Sequence, residues 1–212
     1  MAKDSLDKIG VAFADSKQAR SAKALGNLIE AAEKIVDQGD TEGFTARNLA
    51  KVSGHSLGSL VQRLGKVENI FLHAIAYSRS KHIEVLAKQL ESFGNDKTAT
   101  QFCEYIVDLG MNRMMLVGAP IIRYYESRAM GRTNNVGNIY AYTDEIVPAL
   151  TKMMRQNTTG TFRVYSDFEM KYIARLVFQI FERPLAEGDP LAGTAQHREM
   201  VINILSGLLC AR

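Results

Sequence analysis

From Ser16 to Leu209 the apolar residues return every three or four positions, and no segment alternates apolar and polar residues as a strand would. That periodicity confines the chain to an all-α fold. Its first stretch places Leu25, Leu28, Ile29, Ala32, Ile35 and Val36 on one stripe, with Glu30, Glu33, Lys34 and Asp37 between them. It predicts a helix from Ser16 to Gln38 closed by Gly39. Further helices are predicted at Ala46–Val52, Leu57–Leu64, Val67–Leu90, Thr98–Val117, Pro120–Met130, Asn138–Asn157, Ser166–Arg183 and Thr194–Leu209. Pro148 should force a kink or a late start, and Pro184–Gly193 reads as a loop. With 4 prolines and 16 glycines among 212 residues, the chain lacks the turn density of a β-sandwich. At 212 residues the chain is long enough to bury a core without disulfide or metal support.

The 26 basic and 23 acidic residues leave a formal net charge of +3, too little for the whole molecule to act as a polycation on nucleic acid or an anionic membrane. Any basic surface must be local. No apolar run reaches the ~18 residues of a membrane helix, and the mixed charges of Met1–Arg20 do not read as a signal peptide, so a cytoplasmic protein is expected. Cys103 and Cys210 lie far apart in sequence, fit no metal spacing and sit in apolar helical stretches. Small buried hydrophobes with no redox role are expected there. No metal site and no cofactor motif is read anywhere in the chain.

The charge asymmetry sits in Thr45–Lys66, TARNLAKVSGHSLGSLVQRLGK: two short helices around a glycine-containing turn, with Arg47, Lys51, Arg63 and Lys66 and no acid. This is the sequence form of a helix-turn-helix, and a local basic excess is what docking on phosphates requires. A solvated basic face on an ordinary helical hairpin has the same composition. Ser56 can cap the second helix, whose free N–H groups and dipole favour a phosphate nearby. Outward Leu57, Ser59, Gln62 and Arg63 then suit the major groove, where Gln reads adenine, Arg reads guanine and an apolar side chain meets the thymine methyl. Leu49, Ala50, Leu60 and Leu64 are left for a small core, with Gly58 allowing close helix approach.

Position by position, this stretch resembles the DNA-binding domain of the tetracycline-repressor (TetR) family of transcriptional regulators. The likeness extends from about Leu28 to Ile75 and carries Thr45, Leu49-Ala50, Ser53-Gly54, Ser56, Gly58, Ser59-Leu60 and Leu64 at matching spacing. The resemblance implies that Thr45 and Arg47 also touch DNA and that Lys66 adds a backbone contact, which positions rather than specifies. It implies an N-terminal three-helix helix-turn-helix domain over residues 16–66, a connecting helix over 67–90, and a larger helical effector-binding and dimerisation domain over 91–212. It further implies a non-enzymatic repressor that binds a palindromic operator in double-stranded DNA as a homodimer and is released by a small-molecule effector. The chain departs from the family's pattern at Val61, where an aromatic phosphate contact is usual, at His55, where an apolar residue is usual, and at Val67, where lysine is usual. Those departures keep a second reading open, a helical ligand-binding or scaffold protein that has lost DNA binding.

Gly54-His55-Ser56-Leu57-Gly58 also fits the G-x-S-x-G nucleophile elbow of α/β-hydrolases, with His73, His82 or His197 as a base. The elbow needs a buried strand before the serine, and ARNLAKV is helix-patterned. In the C-terminal half, Phe102, Ile106, Met111, Met114 and Met115 on one helix and Tyr124 and Tyr125 on the next could line an adaptable cavity for an apolar effector, with Arg113 and Arg123 as anchors for an anionic one. Plain core is the alternative use of such stripes. The last two helices carry Phe168, Tyr172, Leu176 and Ile180 and then Val201, Ile204, Leu205 and Leu208. Paired across a two-fold axis they would make a four-helix bundle, and packed within one chain they would simply be core.

Overall fold

Helix α1, Ala19–Val36, buries Leu28, Ala32, Ile35 and Val36 of the stripe expected from its spacing, with Ala31 beside them, and leaves Leu25 and Ile29 half-buried. Gly39, at φ 77°, turns the chain beyond it and donates to the Val36 carbonyl at 3.0 Å. The computed structural model describes residues 19–56, 58, 66–129 and 140–211, excluding the side chains of 19–23, 114–117, 129 and 141. Among these residues seven further α-helices follow: α2 Ala46–Ser53, α3 Val67–Glu91, α4 Ala99–Val117, α5 Ala119–Ala129, α6 Val147–Gln156, α7 Asp167–Glu187 and α8 Ala195–Leu209. Their only β pairing is an isolated bridge between Phe162 and Cys210. The fold is all-α.

Helix starts follow the caps written in the sequence. Thr98 and Gln101 form a reciprocal box on α4, the Gln101 N–H donating to Thr98 Oγ1 at 3.3 Å and the Thr98 N–H to Gln101 Oε1 at 2.9 Å. Ser166 and Glu169 do the same on α7, at 3.2 and 2.9 Å. Pro148 falls in the first turn of α6, where its missing N–H costs no helical bond, and a 3₁₀ turn, Ala141–Ile146, leads into it. The late start expected at Pro148 is what occurs. At the other proline the loop reading is corrected: α7 runs through Pro184 to Glu187 and ends at Gly188, φ 76°, whose αL conformation supplies the C-cap.

The chain divides into two compact units. One holds the described residues up to Arg79 with those of Pro120–Ile139, and the other holds Ser80–Ala119 with the residues from Tyr140 onward. In the first, Leu28, Ile35, Leu49, Ile70, Phe71, Ile75 and Tyr125 are almost wholly buried. In the second, one apolar cluster gathers Ile83 and Leu90 of α3, Phe102 and Val107 of α4, Met170 and Phe181 of α7, and Val201, Leu205 and Leu209 of α8. His197 crosses from α8 to α7 inside that cluster. Its Nδ1 accepts from the Gly193 N–H at 3.1 Å, which leaves Nε2 protonated to donate to the Ile180 carbonyl at 3.2 Å. Asp144, on the 3₁₀ turn, takes both Nε–H and Nη–H of Arg175 at 2.7 Å and so ties that turn to α7. No described helix is long and apolar enough to cross a membrane.

Candidate nucleic-acid interface

Thr45 opens α2 as its sequence suggests: with extended backbone, it accepts the Asn48 N–H on Oγ1 at 3.1 Å. Gly54, at φ 73°, closes the helix by donating to the Ala50 carbonyl at 3.0 Å. Eight residues between two caps leave Leu49 as the buried anchor and turn Arg47 and Lys51, one helical turn apart, toward solvent. Thr45, Ser56 and Lys66 are exposed as well. Leu57, Ser59, Gln62 and Arg63 lie outside the described residues. Gly58 is exposed, and among the described residues a Cβ built on it meets no atom within 4 Å.

One structural residue of this unit was not singled out in the sequence. Phe44, just before the cap, stacks on Phe71 of α3 with centroids 4.5 Å apart and planes 4° apart, and meets Tyr124 of α5 edge-on at 4.8 Å. Its signal was legible as the apolar residue that precedes an N-cap in a hydrophobic staple. Arg128 lies 4.3 Å over the Tyr124 ring and pairs with Glu68 at 2.6 Å. Burial raises the Tyr124 phenol above its usual range, against the opposing field of Arg128. Gly54–Ser56 follows a helix rather than a strand, so the nucleophile elbow lacks its required context.

The residues expected around an effector fall into both units. Phe102 and Ile106 line a cavity of about 50 Å³ in the second unit, together with Leu86, Met154, Met170 and Phe178 among others, and every lining side chain is apolar. Met111 packs half-buried against the same cluster. Arg113 is half-buried near His82, whose imidazole is lowered to about 4 by burial and by the Arg113 charge. The side chains of Met114 and Met115 are not among those the structure describes. Tyr124 and Tyr125 belong to the first unit, where Tyr124 is held by Phe44 and Arg128 and Tyr125 lies 4.4 Å beneath the Arg79 guanidinium. Arg123 is exposed.

The apolar residues of the last two helices separate by face. Phe168, Tyr172 and Leu176, four residues apart on α7, are 69%, 54% and 42% exposed, and the first two rings meet edge-on at 5.0 Å. On α8, Ile204 is exposed beside Met200, whereas Val201 and Leu205 are filled by the core of their own unit. Rows 197–201–205–209 and 200–204 are neighbouring faces of a 3.6-residue helix, so one of them points inward. Ile180 and Leu208 are half-buried against the core.

The capped helix α2 lies in one of two helical units of an all-α chain, a fold shared with solved proteins described as TetR-family regulators. Among solved structures, the chain is similar to a Mesorhizobium loti protein described as a TetR-family transcriptional regulator, at a TM-score of 0.57 and 12% identity over 92% of this chain and 100% of that one. It is also similar to a Shewanella sp. PV-4 protein described as a TetR family transcription regulator, at a TM-score of 0.53 and 14% identity over 89% of this chain and 99% of that one. No family model and no curated protein matches the sequence.

Proposed function

We propose that the chain is a transcriptional regulator that docks on duplex DNA through α2 and the residues that follow it. The observation that carries this reading is the capped helix between Thr45 and Gly54, which presents Arg47 and Lys51 on one solvent face of a unit whose fold is shared with TetR-family regulators. Arg47, Lys51 and Lys66 would meet phosphates, and Gln62 and Arg63 would read base edges. Since one recognition helix reads too few bases, the chain acts as a homodimer on a palindromic operator, its half-sites about 34–36 Å apart. The exposed stripe Phe168, Tyr172, Leu176 on α7, with Ile204 on α8, supports this as the two-fold face. The protein works as a repressor in the cytoplasm, and an effector that prefers the wrong half-site spacing releases it. The wholly apolar lining of the 50 Å³ cavity favours a neutral, hydrophobic effector.

Selection of bound sequences from random duplex DNA, followed by fluorescence anisotropy at several salt concentrations, tests the reading. Arg47→Ala should weaken binding on every sequence and lower the salt slope by about 0.9 per lost phosphate contact, whereas Arg63→Ala should relax sequence preference. Undiminished binding in both variants would overturn the assigned face. No binding of the parent to any duplex would favour the helical scaffold reading instead.

A further inference from the structure

Cys103 and Cys210 stand 107 residues apart in sequence, and the fold brings them together. Cys103 lies on α4 one turn after Thr100, α4 packs along α8, and Cys210 caps the C-terminus of α8. The Cys210 sulfur is 3.9 Å from Thr100 Oγ1, one turn before Cys103 on the same helix, and the Cys103 thiol lies close enough to Cys210 and Ser206 to feel both. The backbone fixes the pair. The Cys210 N–H donates to the Ser206 carbonyl at 3.0 Å, and on either side Arg163 donates to Leu209 at 2.8 Å and Ala211 to Thr161 at 2.8 Å. Cys103 is fully buried in the apolar cluster and Cys210 is half-buried at its edge; both thiols are free.

We propose that this pair is an oxidative modification site, closing to an intramolecular disulfide when the protein meets a hydroperoxide. Burial, the largest influence, pushes the Cys103 thiol up to about 12, so the chemistry starts at the more accessible Cys210. The Cys210 thiolate attacks one peroxide oxygen. The O–O bond breaks, the alkoxide leaves and takes up a proton as an alcohol, and Cys210 becomes a sulfenic acid. The Cys103 sulfur then attacks the Cys210 sulfur, the S–O bond breaks, and hydroxide leaves with the Cys103 proton as water. In sum, the two thiols lose two electrons and two protons while the hydroperoxide is reduced to alcohol and water. The new bond ties the start of α4 to the end of α8.

The test treats the full chain with a stoichiometric excess of hydrogen peroxide, titrates thiols after denaturation, and maps unreduced tryptic peptides. Both thiols should disappear together, a cross-link should join peptides 98–113 and 199–212, and dithiothreitol should restore both. In Cys210→Ser, buried Cys103 should react at least about tenfold more slowly. In Cys103→Ala, the sulfenic acid on Cys210 should persist and be trapped by dimedone. Oxidation of Cys210 in the parent to sulfinic acid or to an interchain disulfide, with Cys103 still titrating as a free thiol, would overturn the proposal; so would unchanged Cys103 reactivity in Cys210→Ser.

Discussion

Gly110, in the middle of α4, faces the end of the Phe181 ring on α7, and its replacement by alanine sets two known effects against each other. In a helix interior, Gly→Ala ordinarily stabilises by about 1 kcal/mol, because the backbone loses less entropy. Here an added Cβ would lie 2.6, 2.8 and 2.9 Å from Phe181 Cζ, Cε1 and Cε2. Ordinary contact begins near 3.4 Å, so α4 and the ring must separate by several tenths of an ångström. Phe181 is 7% exposed within the apolar cluster, so any movement of its ring disturbs the core side chains around it. Overpacking of this kind costs about 1–3 kcal/mol, and the rigid ring places it at the upper end, for a net loss of about 1–2 kcal/mol. Urea unfolding followed by far-UV circular dichroism should show a lower midpoint at unchanged slope, with Tm down by about 2–8 °C. Phe181→Leu in the same chain opens the space that the new methyl fills, so the double variant should be more stable than the sum of the singles predicts by about 1 kcal/mol or more. A Gly110→Ala protein as stable as the parent, or more so, would refute the close approach.

Burial lowers the His73 imidazole to about 4, below its ordinary 6.5. A native value depressed in this way contributes stability that is present above pH 6.5 and is lost as pH falls through about 4, at most about 3 kcal/mol on the acid side. Urea midpoints measured across this window should fall with pH in the parent and fall less in His73→Leu; equal slopes in the two proteins would sink the assignment. Leu176→Glu places a carboxylate in the exposed stripe of α7 without entering the core, so sedimentation equilibrium should find a monomer with parental helicity. An unchanged dimer would exclude this stripe as the two-fold face.

Helix positions were legible wherever a cap and a stripe agreed. Thr45, Ser166 and Thr194 each begin a helix by accepting an N–H three residues on, and all three can be read from residue type and spacing alone. Pro184 misled because an X–Pro pair usually marks a helix end, whereas here Gly188 offers a better C-cap four residues later. The Cys103–Cys210 pair and the Arg175–Asp144 bridge were hidden for another reason. Each joins distant segments, and a periodic pattern says which face of a helix is apolar but not which helix covers it. The same ambiguity surrounds Val201 and Ile204, both apolar and only three residues apart, of which one is core and one is surface.

Helix α7 carries the clearest link between the two surfaces of the proposed regulator. Met170, Ile173, Ala174 and Val177 line the cavity, while Phe168, Tyr172 and Leu176 look outward from the same helix. A ligand of drug-like size needs a site of about 300–1,000 Å³, and the present cavity of about 50 Å³ falls far short of that. Close-packed interiors do not absorb such a change by compression. Methionines 154 and 170 can repack, but they recover only part of the missing volume. The remainder must come from displacement of a lining helix, and any displacement of α7 also moves the stripe proposed to hold two copies together. In this reading the small size of the cavity is what makes effector binding felt at the dimer face, because a ligand that already fitted would have no differential affinity with which to shift the two states.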